Sequence, residues 1–285
     1  MAKVRLDVLL VDRGLIETRE KAKRTIMAGL VYSGNDRLDK PGMKVDDTAD
    51  LTVKGKVIPY VGRGGLKLEK ALDYFEIDVE DRTMVDIGSS TGGFTDCALQ
   101  RGAARSYAID VGYNQLDWKL RNDPRVVVME RTNFRYVTPD MLTEGLPNFA
   151  SIDVSFISLR LILPALKEIL APGSDVVALI KPQFEAGREQ VGRKGIVRDR
   201  KVHFEVLEDT LKFSESLGFQ YEGLTFSPIT GGDGNIEFLA HLAWNKDTAA
   251  DFPDAEAIQS VVDDAHKQLT AKKAVSEKAM EEDNE

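Results

Sequence analysis

Asp153 and Lys181 each end an apolar run, Ser151-Ile152 before the first and Val176-Val-Ala-Leu-Ile180 before the second. Glu237 stands early in a third apolar run, just after a glycine-rich loop that begins at Gly231. Lys67 lies upstream, on a stretch with helical character. Two lysines and two carboxylates gathered in one place can hold a hydroxyl, move its proton and stabilise the oxygen left behind. Singly, each has an ordinary alternative. Asp153 could cap a turn, Lys181 before Pro182 could be a solvated strand exit, and Glu237 could guard an edge strand. Lys67 could be one charge among Lys67, Glu69 and Lys70. Jointly they fit an open parallel sheet, which presents its ligands beyond the carboxyl ends of its strands.

A turn that could carry a nucleotide-like ligand lies between Lys67 and Asp153. Residues 84–99 read MVDIGSSTGGFTDCAL: a buried strand, a tight turn and the start of a helix. Gly88 permits a sharp turn, and Gly92 with Gly93 permit close backbone approach. A second strand, Ser106-Tyr-Ala-Ile-Asp110, ends about twenty residues on in a carboxylate placed for ribose hydroxyls. The spacing Gly88-x-x-x-Gly92-Gly93 departs from the G-x-G-x-x-G of dinucleotide sites, which disfavours a nicotinamide dehydrogenase. S-adenosylmethionine methyltransferases use this strand–turn–helix with looser glycine spacing, and an acidic residue such as Asp86 in the first strand. An ordinary strand-to-helix turn of an α/β protein is the alternative.

The chain has 285 residues, room for one large domain and a small one. It contains no apolar run of membrane-spanning length, and its first residues, MAKVRLDVLL, are too charged for a secretory signal. One cysteine, Cys97, excludes an intrachain disulfide and a cysteine-built zinc site, and suits a cytoplasmic location. The three histidines, His203, His241 and His266, fit no metal motif. The net charge of -9 argues superficially against nucleic acid. Its distribution does not: residues 1–45 hold ten Lys and Arg against six Asp and Glu, and residues 246–285 hold five against eleven. The local field governs contact with phosphates.

The elements that must position these residues follow from periodicity and turn chemistry. Residues 1–60 form a small α+β unit. Leu6, Leu9 and Leu10 share a helix face closed by Gly14, and Thr18 caps a second helix running to Ala28. Short strands follow at 30–33, before a Gly34-Asn35 turn, and at 50–54. Arg19 and Lys23 lie on one helix face with Arg24 beside them. A helix over 63–74 carries Lys67. Strands are expected at 84–88, 106–110, 126–130, 150–154 and 176–181, with helices at 92–101, 114–121, 159–170 and 200–217. This alternation implies a parallel sheet covered on both faces. Strands at 219–227 and 236–244, joined by Gly231-Gly-Asp-Gly-Asn235, close it as an antiparallel hairpin. The fold class is α/β: a Rossmann-like class I methyltransferase sheet of seven mostly parallel strands over 61–245, the last strand antiparallel. Residues 246–285 form an acidic tail, with a helix over 254–269 and disorder from 278.

These motifs together resemble the TlyA-type family of ribosomal RNA 2′-O-methyltransferases. The resemblance rests on RLDVLLVDRGLIETREKAKRTIMAGLVYSG with KPGMKV, on YVGRGGLKLEKAL, and on VDIGSSTGGFTDCAL. It continues through AIDVGYNQL, ASIDVSFISL, ALIKPQFEAG and GNIEF, and covers nearly everything to Trp244. It implies an RNA-binding domain like that of ribosomal protein S-four, followed by an FtsJ-like methyltransferase domain. It places a Lys-Asp-Lys-Glu tetrad at Lys67, Asp153, Lys181 and Glu237, with Lys181 contacting the ribose hydroxyl. S-adenosylmethionine is expected along Asp86, Gly88, Ser89, Ser90, Thr91, Gly92, Gly93 and Phe94, its ribose on Asp110 and its adenine near Asn133. RNA contacts are expected at Arg5, Arg13, Arg19, Lys23 and Arg24, with ribosomal RNA or ribosomal subunits as partner and cytidine as the nucleotide methylated.

Other readings remain open. A non-catalytic RNA- or ribosome-binding factor would use the same domains with an idle tetrad. Family members are often labelled haemolysins, but no apolar span or basic helix with a large apolar face is present. A carbon-5 pyrimidine methyltransferase needs a nucleophilic cysteine at an open strand end, whereas Cys97 falls in the helix after the turn. An amino-group methyltransferase wants an Asn/Asp-Pro-Pro-aromatic turn where this chain has Asp153-Val-Ser-Phe156. The glycine-rich stretch 183–199, with Arg188, Arg193, Lys194 and Arg198, is either a segment that closes over RNA or a solvated loop.

Overall fold

The computed structural model describes residues 3–27, 29–34, 36–54, 58–231, 234–246 and 251–282. Ala28, Asn35, Lys56 and part of the 231–235 loop lie outside the described residues, and with them the end of the second helix, half of the 34–35 turn and part of the connector. The chain divides into two compact units, one of Met1–Arg63 with Ala274–Glu285 and the other of Gly64–Lys273.

The first unit begins with β1 (Lys3–Arg5), α1 (Leu6–Asp12) and α2 (Arg19–Met27). Short strands follow: β2 (Val31–Ser33), β3 (Asp36–Arg37), β4 (Lys44–Asp46) and β5 (Leu51–Val53). β1 pairs antiparallel with β4, while β2 lies between β3 and β5. β2 and β5 fall within the strands expected at 30–33 and 50–54, whereas β1, β3 and β4 are not among the expected strands. Gly14 takes φ +67° just past α1, the left-handed conformation that glycine reaches without a Cβ penalty. The Lys21 N–H donates to Thr18 Oγ1 at 3.2 Å, so Thr18 caps α2 as its sequence position suggests. Leu6, Leu10, Ala22, Ile26 and Val31 are fully enclosed in one small core.

The second unit opens with α3 (Gly65–Tyr74), then β6 (Thr83–Ile87), α4 (Gly93–Gln100), β7 (Arg105–Ile109), α5 (Trp118–Arg121) and β8 (Val126–Met129). After these come β9 (Phe149–Ile152), α6 (Leu163–Leu166), β10 (Ser174–Ile180), α7 (Pro182–Glu185), α8 (Arg200–Ser216), β11 (Phe219–Phe226), β12 (Phe238–Trp244) and α9 (Ala255–Glu282). The strands form one seven-stranded sheet in the order β11-β12-β10-β9-β6-β7-β8. β12 runs antiparallel to both neighbours, β10 and β11, while β6 to β10 pair in parallel. The antiparallel strand thus lies inside the sheet, with β11 at the edge. Every residue of β9 and β10 is buried, as expected for strands covered on both faces. The chain steps from β6 to β7 on one side and later returns to β9 on the other. The crevice beyond β6 and β9 is therefore a topological switch point, where open α/β sheets bind ligands.

Three expectations change. The helix expected over 114–121 shrinks to the single turn of α5, because Asn114 takes φ +56° and Asp117 caps the turn by accepting from the Lys119 N–H. The helix expected over 159–170 divides into a 3₁₀ turn at Leu159–Leu161 and the short α6, with Pro164 in the first turn of α6. α9 runs to Glu282, through the segment expected to be disordered, and residues 283–285 lie outside the described set. Its Ile258, Val262, Ala265 and Leu269 recur at helical spacing and are buried in the core of the second unit.

Candidate active site

α3 buries Leu68, Ala71 and Leu72, which fixes the helix against the fold and leaves Lys67 enclosed in its first turn. β6 and β9 pair in parallel up to Ile87 and Ile152. One more hydrogen bond, from the Asp153 N–H to the Ile87 carbonyl at 2.9 Å, carries that pairing on to Asp153. The contact requires a glycine opposite: a Cβ on Gly88 would stand 2.5 Å from the Asp153 carbonyl oxygen, and Gly88 takes φ +82°. Lys181 follows β10 and precedes Pro182, which starts α7. Glu237 precedes β12, and its carbonyl accepts from the Ser227 N–H at 2.8 Å.

The four ionic groups meet. Lys67 Nζ lies 2.8 Å from Glu237 Oε2 and 3.3 Å from Asp153 Oδ2. Lys181 Nζ lies 2.6 Å from Asp153 Oδ1 and donates to Ser155 Oγ at 3.0 Å. The Lys67–Glu237 contact is one of charge, because Oε2 lacks hydrogen-bond alignment. Lys67 and Lys181 are each 7% exposed and Glu237 is 2% exposed. Burial works to lower the Lys67 pKa, but Asp153 and Glu237 outweigh it and hold the group above the ordinary lysine value. Burial likewise works to raise Asp153, and the two lysines outweigh it, leaving the carboxyl below its usual range. The cluster is a charge-balanced row, Glu237–Lys67–Asp153–Lys181, whose last member also reaches a neutral hydroxyl.

Sequence reasoning did not single out Ser155, whose only signal is its place two residues after Asp153. Nor did it single out Gly231 or Glu185. A Cβ on Gly231 would stand 2.2 Å from Glu237 Oε1, so only glycine leaves that carboxylate its seat. Glu185 accepts from Ser158 Oγ at 2.5 Å and from the Leu159 N–H at 2.8 Å, tying the segment after Asp153 to α7. Phe156, within that segment, packs on Phe184 at 5.0 Å between ring centroids.

The turn beside this row places its residues in three groups. Ser90 and Thr91 are exposed at the tip; Gly92 takes φ +93°, and a Cβ there would also stand 2.2 Å from the Leu120 side chain and 2.8 Å from that of Leu116. Ser89, Gly93 and Phe94 are buried within the turn and the start of α4. The side chains of Asp86 and Phe94 are buried beneath the turn. Asp86 Oδ2 accepts from the Thr95 N–H at 3.1 Å and Thr95 Oγ1 at 2.8 Å, and Oδ1 accepts from Ser151 Oγ at 3.1 Å. These bonds fasten β6, β9 and the first turn of α4 together. Asp110, just past β7, accepts from the Ser90 N–H at 2.8 Å and the Gly112 N–H at 2.7 Å, so it also holds the turn's shape. Asn133 Oδ1 caps the 3₁₀ turn 134–136 by accepting from the Arg135 N–H at 3.2 Å.

Burial raises the Asp86 carboxyl to about 7, against the pull of Thr95 and Ser151. A raised carboxyl pKa means that the folded state holds a proton the unfolded chain releases near 3.8, so this group's contribution falls as pH rises from about 4 to about 7. Asp86→Asn keeps an acceptor for Thr95 and a donor for Ser151 without a charge. Its urea-unfolding free energy should gain on wild type across that window, by on the order of 4 kcal/mol at most, and the difference should level off above about pH 8. Parallel pH profiles for the two proteins would count against a protonated Asp86.

In the first unit, four of the five expected RNA-contact residues have partners within the unit. Arg5 and Arg19 clamp the buried Asp7 at 2.9 and 3.0 Å, and the Arg5 hydrogen bond holds that carboxyl below its usual range. Arg13 donates to the carbonyls of Asp47 and Ala49. Lys23 pairs with Glu20 at 2.8 Å, and the buried Nε of Arg24 has no hydrogen-bond partner among the described residues. Arg5 and Arg19 remain about half exposed, so one edge of each guanidinium is still available. Among the described residues no group of His, Cys, Asp and Glu is arranged to hold a metal, and no helix is long and apolar enough to cross a membrane.

Residues 60–244 match the FtsJ-like methyltransferase family, and residues 4–51 match the S4 domain. The chain is 67% identical over 95% of its length, and 97% of the relative's, to a Bacillus subtilis protein named "Putative rRNA methyltransferase YqxC". It is 43% identical over 87% of its length to the 16S/23S rRNA (cytidine-2′-O)-methyltransferase TlyA of Mycobacterium tuberculosis, covering 92% of that protein. A solved structure named "Putative hemolysin from Streptococcus thermophilus" superposes with a TM-score of 0.77 at 57% identity, covering 96% of this chain and 99% of that one.

Proposed function

The chain belongs to the FtsJ-like methyltransferase family, with an S4 domain ahead of the methyltransferase part, and on that premise we propose that it methylates the 2′-hydroxyl of a ribose in ribosomal RNA, at cytidine, from S-adenosylmethionine. The observation that carries this reading is the contact row Glu237–Lys67–Asp153–Lys181 at the switch point, beside the turn 88–93. The relatives named as rRNA methyltransferases support the substrate class. The turn fits the proposed donor: a strand end, a glycine-shaped loop with an exposed tip, and an acidic strand end twenty residues on. Gly88, Ser89, Ser90, Thr91 and Asp110 would hold it, with Asp86 setting the turn from beneath.

S-adenosylmethionine, when bound, supplies a methyl carbon activated for in-line displacement by its positive sulfur. The protein's part is to aim the ribose oxygen and take its proton. Lys67 does not serve as base, because it lies between two carboxylates and stays a cation. Lys181 pairs with one carboxylate and one neutral hydroxyl, and a third direction of its nitrogen is left for the ribose oxygen. Lys181 Nζ, after giving a proton to water, receives the hydroxyl proton as the new carbon–oxygen bond forms, which restores its pairing with Asp153. Asp153 orients Lys181, while Lys67 and Glu237 hold Asp153 and brace the ribose.

The test is incubation of ribosomal subunits from a strain lacking this chain with labelled S-adenosylmethionine. Alkaline hydrolysis follows, since a 2′-O-methyl blocks cleavage at its own nucleotide. Label should appear in an alkali-resistant dinucleotide with cytidine on its 5′ side. Tight subunit binding without label would favour the non-catalytic factor.

A further inference from the structure

We propose that Asn235 is a positioning residue for the RNA substrate, which with His203 pins Val197 so that the basic loop from Arg188 to Arg198 is held rigidly beside Glu237. The inference rests on the functional reading above and goes beyond it. Asn235 is 4% exposed and precedes Glu237 by two residues. Its Oδ1 accepts from the Val197 N–H at 3.1 Å, and its Nδ2 donates to the Gly195 carbonyl at 2.9 Å. Its own carbonyl accepts from the Gly231 N–H at 2.9 Å, which closes the loop on which Glu237 Oε1 rests. One amide side chain therefore fastens the basic loop to the segment that seats a member of the tetrad.

Val197 is also held from the other side. His203 Nε2, on α8, lies 3.2 Å from the Val197 carbonyl, and His203 Nδ1 lies 2.9 Å from His266 Nε2 on α9. A carbonyl can only accept, so His203 carries its proton on Nε2 and its Nδ1 accepts from His266. Burial, with His266 alongside, lowers His203 to about 4, which keeps it neutral in this role. The N–H and carbonyl of Val197 are thus each satisfied by a different buried side chain, and the Val197 side chain is itself 2% exposed within the core. Around this anchor Arg188, Arg193, Lys194 and Arg198 are exposed. Four cations on a pinned loop present phosphate-binding charge in a fixed place, without the ordering cost of a free loop.

The experiment compares wild type with Asn235→Ala in the full chain, by limited trypsin digestion and by steady-state methylation. Cleavage after Arg193, Lys194 and Arg198, read by mass spectrometry of early fragments, should accelerate about tenfold. The KM for ribosomal subunits should rise by about the same factor, while the affinity for S-adenosylmethionine changes less than about twofold. Asn235→Asp keeps the acceptor for the Val197 N–H and loses the donor to Gly195, so it should fall between the two and serves if the alanine variant does not fold. Unchanged cleavage at those bonds overturns the pinning. Faster cleavage with an unchanged KM for subunits overturns the loop's role in substrate binding. A wild-type chain that methylates no ribosomal RNA overturns the functional reading instead, and the trypsin rates still decide the pinning.

Discussion

Lys181→Met should lower kcat for methyl transfer by about 10²–10⁴-fold while leaving S-adenosylmethionine binding and the folded structure in place. The size follows from losing the one nitrogen whose position allows it to take the hydroxyl proton. The fold survives because Asp153, stripped of Lys181, still has Lys67 at 3.3 Å. Single-turnover transfer to ribosomal subunits measures the chemical step, and calorimetry with the donor measures binding. A variant that keeps more than about a tenth of wild-type kcat would reassign the base. Loss of donor affinity in step with kcat would place Lys181 in donor binding instead. Ser155→Ala provides a graded comparison, since it removes only the neutral partner of Lys181.

Lys67→Met should have the largest effect on stability, about 3–5 kcal/mol. Glu237 is 2% exposed and loses its cation at 2.8 Å. A buried carboxylate left without its partner costs more than the intact pair contributes. The pH dependence has a definite sign. Lys67 is raised, so its contribution is full below the unfolded value of 10.5 and is lost as pH rises through the higher folded value. Asp153 is lowered, so its contribution is present above 3.8 and is lost as pH falls through the lower folded value. The deficit of Lys67→Met should therefore be full near neutral pH and shrink on acidification, as the stranded carboxylates take up protons. Adding Glu237→Gln should restore much of the loss, and a double-mutant cycle in urea measures the coupling. A single variant within about 0.5 kcal/mol of wild type would mean that Lys67 and Glu237 do not depend on each other.

Much of the second unit was legible along the chain. Each apolar run became a strand within a residue or two, because continuous burial on both faces leaves a continuous apolar record. The strand–turn–helix at residues 84–99 declared itself through glycines whose conformations no other residue adopts cheaply, Gly88 and Gly92 among them. The tetrad's residue types and their places at strand ends could also be read, and the family resemblance joined them into one site. The acidic tail could not be read in the same way. A helix over 254–269 is expected from the sequence, but not the burial of four of its residues in the core of the second unit.

Sequence alone determined which segments form the strands of the seven-stranded sheet, where the chain turns and which charges end its apolar runs, since period, glycine placement and capping are local properties. Tertiary structure decided the partnerships: Lys67 with a carboxylate 86 positions away, Arg5 and Arg19 with a buried Asp7, and Asn235 with a loop 40 positions back. The reason is physical. A charge records only its own cost of burial, whereas its partner is set by strand crossovers and register, which bring distant residues within hydrogen-bond reach and leave no periodic trace along the chain.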